Sequence, residues 1–196
     1  MFPLKIVIGA GAGALLLVGG YALANPEQTS APAPGSSMTA MQPKGAQGVA
    51  VIHPASGSDV HGTVWFVPVE GGVRITGEIK GLSPGLHGFH IHRFGDCSAR
   101  DASSAGGHYN PENEPHGAPT AEKHHAGDLG NIRANDVGVA DVKMTVPFIT
   151  VNEMYHHPVL GRAVIVHAKK DHFDVQPSGA AGPRIGCGVI GLAGTQ

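Results

Sequence analysis

From Val73 to Lys80 the chain alternates strictly. Val73, Ile75, Gly77 and Ile79 are apolar or small, and Arg74, Thr76, Glu78 and Lys80 are polar. A period of two marks a β-strand with one face buried and the other wet. The stretch before it, residues 60–69, is rich in β-branched and aromatic residues, and Glu70-Gly71-Gly72 between the two reads as a turn. Leu82-Ser83-Pro84-Gly85 breaks the pattern, and residues 86–92 resume as a strand. Further strands are predicted at 138–146, 162–168 and 187–192, with no convincing helix after residue 47. Residues 93–135 and 169–183 are rich in loop formers and have no long periodic run. Loops of that length in a compact domain are usually functional. The pattern predicts an all-β fold, an antiparallel β-sandwich or flattened barrel with two long functional loops.

The N-terminal pattern is different. Lys5 precedes an apolar run at 6–22, and Ala22-Leu23-Ala24 is a small-x-small cleavage signal. Residues 1–24 read as a secretory signal peptide, with an uncleaved anchor helix as the rival reading. No cysteine follows the run, so a lipoprotein anchor at this site is excluded. Either reading puts the rest of the chain outside the cytoplasm. Residues 25–47 are Pro-, Ser- and Ala-rich and read as a disordered linker, with the folded domain at 48–196.

Composition narrows the class. The formal charge is −2, without the basic bias that nucleic-acid binding needs. Thirty glycines, with charged residues at only 14%, suit a turn-rich β protein. The two cysteines, Cys97 and Cys187, fit one disulfide in an oxidising compartment. The 13 histidines ask for a reason.

His90 and His92 lie two apart on a predicted strand, so both imidazoles face one side and can reach one ion. His87 is an odd step away and faces the other side, where a structural hydrogen bond to backbone is expected. The long loop adds His108, His116, His124, His125 and Asp128. Three imidazoles and one carboxylate suit a closed tetrahedral zinc site. His167 ends a later strand on one face with Ala163 and Ile165, and an all-nitrogen set favours Cu(II). A single loop histidine is usually solvated; so many together, among glycines, argue against accident.

Three motifs carry a resemblance. Gly85-Leu86-His87-Gly88-Phe89-His90-Ile91-His92, Gly127-Asp128-Leu129-Gly130-Asn131 and Gly186-Cys187-Gly188-Val189-Ile190-Gly191 occur in that order. They resemble the copper-binding, zinc-loop and C-terminal signatures of the copper–zinc superoxide dismutases, over residues from about Gly48 to about Ala193. The export signal and a long stretch from Cys97 to His108 look closer to the bacterial exported branch, and so to the periplasm.

The resemblance implies a Greek-key fold and two metals. His90, His92, His108 and His167 match copper ligands. His108, His116, His125 and Asp128 match zinc ligands, with His108 bridging the two. Asp171 matches an aspartate bonded to one histidine of each set, and Cys97 and Cys187 match a disulfide. Superoxide would pass to dioxygen and hydrogen peroxide by Cu(II)/Cu(I) cycling, with zinc ordering the site. His108 and Arg184 take the catalytic roles, as proton carrier and as cation beside the open copper position.

The alternative is a non-catalytic periplasmic copper-binding or copper-buffering protein. A homodimer is open, and so is a membrane tether if 1–24 is retained. His53, His61, His124, His156, His157 and His172 receive no role.

Overall fold

The computed structural model of the chain describes residues 46–194, all within one compact unit, Met38–Gln196. The expected signal or anchor at 1–24 and residues 25–45 of the expected linker lie outside the described residues. The strands are β1 Gly48–Pro54, β2 His61–Val69, β3 Gly72–Lys80, β4 Gly85–His92, β5 Asp128–Ala134, β6 Ala140–Val146, β7 Ala163–His167 and β8 Arg184–Leu192. Among the described residues the one helical piece is a 3-10 turn at Ser103–Ala105.

Every strand pairing is antiparallel, and the strands are linked in the order β5-β4-β7-β8-β1-β2-β3-β6. β1, β2 and β3 form a meander. β4 then leaves it to pair with β5 and β7, and β6 returns to β3. This is the Greek-key arrangement, closed nearly into a barrel by contact between β5 and β6.

The alternation read from β3 holds. Val73, Ile75 and Ile79 are fully buried, while Arg74, Glu78 and Lys80 are exposed. Phe66 of β2, Phe89 and Ile91 of β4 and Ile190 of β8 join them in the core. Burying each such side chain stabilises the fold by about 1.5–3 kcal/mol. β4 has no wet face. Phe89 and Ile91 enter the core, and His90 and His92, equally buried, face the other way.

Two strands go beyond the sequence reading. In β1, Ala50 and Ile52 point inward, but Val49 and Val51 on the other face are apolar too, so no polar alternation marks the strand. β5 lies inside the stretch read as one long loop. Asp128, Gly130 and Asn131 are poor strand formers, and the strand exists through its pairing with β4.

A smaller cluster packs the loop after β4 against β7 and β8: Ala102 and Ala105 meet Ala163, Ile165 and Cys187. The disulfide Cys97–Cys187 crosslinks it over a separation of 90 residues. Closing a loop of that length stabilises by about 4–5 kcal/mol in the chain-entropy model.

Candidate metal centre

His90 and His92 are pinned by the pairing of β4 with β7, where His90 lies opposite Ile165 and His92 opposite Ala163. His167 ends β7 on the same face. His108 is brought in by an isolated bridge to His92. The four rings converge: the His90 centroid is 4.1 Å from that of His108 and 5.0 Å from that of His167.

One nitrogen of each ring is tied to the protein. His90 Nε2 donates to Asp171 Oδ2 at 2.9 Å, His92 Nδ1 to the Gly106 carbonyl at 2.8 Å, and His167 Nδ1 to the Gly182 carbonyl at 3.1 Å. His108 Nδ1 lies 2.7 Å from Asp128 Oδ1. The first three contacts fix their rings and turn the other nitrogen inward, whereas His108 Nδ1 faces Asp128, a member of the second group.

The second group is built around Asp128, at the start of β5. Its Oδ2 accepts from the backbone N–H of Gly117 at 3.1 Å and of His125 at 3.0 Å. His116 Nδ1 lies 3.0 Å from the same oxygen without hydrogen-bond geometry, and His125 Nδ1 lies 3.2 Å from Oδ1. Within each group, His90–His92–His108–His167 and His108–His116–His125–Asp128, the ligand-type atoms lie within 4.8 Å of one another, and every member is buried. His108 belongs to both.

The chemistry of the groups tests whether metals fit. His90 Nδ1, His92 Nε2, His108 Nε2, His116 Nδ1 and His167 Nε2 are buried without a hydrogen-bond partner. Each unsatisfied buried polar atom costs about 1–3 kcal/mol, so their convergence calls for a cation. Burial holds His92 well below its ordinary 6.5, His108 at about 4 and His167 at about 3. They are therefore neutral, the ligating form, at neutral pH. Burial would also lower His116, but Asp128 and Asp171 outweigh it and raise that ring to about 9. Burial would raise both carboxylates. Hydrogen bonds from the histidines prevail and hold Asp128 far below the usual range and Asp171 at about 2. A nitrogen-only set beside a three-imidazole and carboxylate set suits copper beside zinc.

A cavity of about 410 Å³ opens over the first group, lined in part by His92, His108, His167 and Arg184. Arg184 Nη1 donates to the Ala102 carbonyl at 2.6 Å. One nitrogen thus holds the disulfide-bearing loop while the guanidinium borders the cavity. The resemblance gives Arg184 the role of a cation beside the open copper position; the structure adds a backbone contact that ties it to the loop.

Asp171 joins the two groups, with Oδ2 on His90 and Oδ1 on His116 Nε2 at 2.8 Å. Asn131 holds its backbone, accepting from the Asp171 N–H at 2.7 Å and donating to its carbonyl at 3.1 Å. That role escaped the sequence reading, although Asn131 lies in a motif singled out there. His87 is structural as expected, with ring nitrogens 2.8 Å from the carbonyls of His167 and Ser83.

Among the described residues the remaining histidines join neither metal group. His124 contacts the His125 carbonyl and the Phe148 ring, and His157 contacts the Phe148 carbonyl and Glu112. His61 borders a separate recess of about 240 Å³ on the β2–β3 surface, with Thr63, Glu78 and Lys80. His53, His156 and His172 are exposed.

Fold and site together define a Greek-key β-barrel with two adjoining metal-binding groups. Residues 60–190, which include every member of both groups, match the family model for copper/zinc superoxide dismutase. Superoxide dismutase [Cu-Zn] 3 of Arabidopsis thaliana is 46% identical over 145 residues, 70% of this chain and 87% of that protein. Superoxide dismutase [Cu-Zn] 2 of Brassica juncea is 42% identical over 158 residues, 76% of this chain and 99% of the relative. An extracellular superoxide dismutase [Cu-Zn] of Brugia pahangi is 38% identical over 159 residues, 76% of this chain and 78% of that one. The chain belongs to the copper/zinc superoxide dismutase family.

Proposed function

We propose that this protein is a superoxide dismutase. His90, His92, His108 and His167 would hold copper, and His108, His116, His125 and Asp128 would hold zinc. The observation that carries the reading is the set of buried ring nitrogens without protein partners, gathered into two groups that share His108. Copper supplies the one-electron redox step and zinc a fixed charge without redox chemistry.

The chain's own residues do the rest. Arg184 draws a small anion into the cavity, since its charge persists at all working pH values. His108 Nε2 is the atom at which a proton is held and passed to the departing product. Asp171 keeps His90 and His116 in fixed orientations. Two superoxide anions and two protons give one dioxygen and one hydrogen peroxide.

A copper-buffering protein would have no use for Arg184 or for a complete second group. The test is metal analysis of the purified chain with a superoxide-consumption assay. One copper and one zinc per chain with rapid consumption are expected. Copper bound without consumption overturns the reading in favour of buffering.

The finer assignment is export along the bacterial branch to the periplasm, with 1–24 as signal, 25–47 as linker and 48–196 as the enzyme. The apolar run with its cleavage signal and the Cys97–Cys187 disulfide support it. A retained 1–24 segment would tether the enzyme to the membrane. We assign homodimer pairing to the outer β1–β8 face. There Val51 and Val189 are 50% and 40% exposed on paired strands. Gly95 lies beside them, since a Cβ there would be 3.1 Å from Val189.

A further inference from the structure

Gln176 is exposed on the loop between β7 and β8, yet both ends of its amide engage one buried residue. Its Oε1 accepts from the His116 backbone N–H at 2.9 Å, and its Nε2 donates to the His116 carbonyl at 2.8 Å. His116 is 3% exposed and belongs to the His108–His116–His125–Asp128 group. From the same loop, Asp171 Oδ1 meets His116 Nε2. The loop therefore grips His116 at both main-chain polar groups and at the far ring nitrogen, leaving Nδ1 aimed into the group. Only one amide orientation satisfies the pair, because an N–H needs an acceptor and a carbonyl needs a donor. The next residues, Pro177 and Ser178, line the cavity beside His92, His108 and Arg184.

We propose that Gln176 is a positioning residue for the zinc group. It sets where His116 presents Nδ1 and couples that group to the Pro177–Ser178 rim of the substrate cavity. The inference rests on the copper–zinc reading above. Gln176 acts on the main chain of His116 as Asp171 acts on its ring. Groups that orient a metal ligand from outside change metal affinity by about 10–100-fold when removed. Coupling of this kind is reciprocal: an ion held through His116 steadies the Gln176 clamp, and the clamp steadies the ion.

The test uses the full chain loaded with copper and zinc, in parent, Gln176→Ala and Gln176→Glu forms. Glutamate keeps the length and the acceptor but turns a carboxylate oxygen toward the His116 carbonyl. Zinc transfer to a chromogenic chelator is followed in time, and retained copper is read from its Cu(II) spin-resonance signal. Both variants are expected to release zinc about 10-fold faster or more, with the copper signal retained. The metal-free variants should fold but melt below the parent, since the His116 N–H and carbonyl lose their partners. Visible absorption of Co(II) placed in the zinc group should also change in the variants. Parental zinc release in both variants overturns the proposal. So does joint loss of both metals, since that is general destabilisation. A parent chain that takes up no zinc refutes instead the copper–zinc reading.

Discussion

Gly179 stands over the hydrogen bond between Asp171 and His116. Its φ is +69°, and a Cβ there would fall 1.6 Å from Asp171 Oδ1 and 2.7 Å from His116 Nε2. Real Cβ contacts are not closer than 3.0 Å, so in Gly179→Ala the carboxylate must retreat by about 1.4 Å. That breaks its 2.8 Å bond to His116 and distorts its 2.9 Å bond to His90. Losing one charge-assisted hydrogen bond costs about 1.5–3 kcal/mol. Forcing alanine into the left-handed region adds about 1–2 kcal/mol. The sum, about 2.5–5 kcal/mol, should lower the melting temperature by about 5–20 °C for a domain of this size. The assay is thermal unfolding of the metal-free, disulfide-intact protein. Gly57→Ala is the control: its φ is +74°, and nothing lies within 4 Å of the added carbon, so it carries the backbone strain alone. If the two variants melt together, the Asp171–His116 bond is not what Gly179 protects, and the reasoning fails.

Asp128→Asn removes the one carboxylate of the second group, and elemental analysis should show zinc lost before copper; full retention of both contradicts the assignment. Arg184→Ile should slow superoxide consumption at low salt, keep both metals and flatten the salt dependence, since charged funnels raise on-rates by roughly 10–1000-fold. An unchanged rate and salt slope would make Arg184 purely structural. In the metal-free protein, burial depresses His92, His108 and His167, the last two to about 4 and about 3. Their unfolded forms bind protons first, so stability present above pH 6.5 should fall as pH drops toward 4 and 3. Melting temperatures that stay flat across that window would count against neutral, buried rings. Intact-mass measurement of the native protein should show residues 1–24 removed; a mass that includes them supports the tether.

Much of the site was legible because strand parity is a strong rule. His90 and His92 had to share a face, and Ala163, Ile165 and His167 had to share another, before any pairing was known. The pairing of β4 with β7 then joined the two faces. The loop members of the two groups were picked out through the motif resemblance more than through periodicity, since 93–127 has no regular repeat. β5 was hidden because its glycine, aspartate and asparagine serve the site at the expense of strand propensity. The partners that orient the rings stayed invisible for another reason. The carbonyls of Gly106 and Gly182 are backbone atoms, which no residue type announces, and Asn131 and Gln176 act on main chains 40 and 60 residues away.

The barrel has two strand edges outside the hydrogen-bonded order, β5 and β6. They touch across the turn at 135–139, where the Asn135 N–H bonds the Val139 carbonyl at 2.9 Å. Their nearness to each other limits the room a neighbouring strand would have to add there. Yet β5 begins with Asp128, and its Asn131 is fastened to Asp171. The metal groups therefore also seat one of the barrel's seams. The bonds that orient the groups, Asn131 on Asp171 among them, thus hold β5 at the seam as well. A substitution that frees Asn131 from Asp171 would therefore loosen an edge of the barrel together with the site.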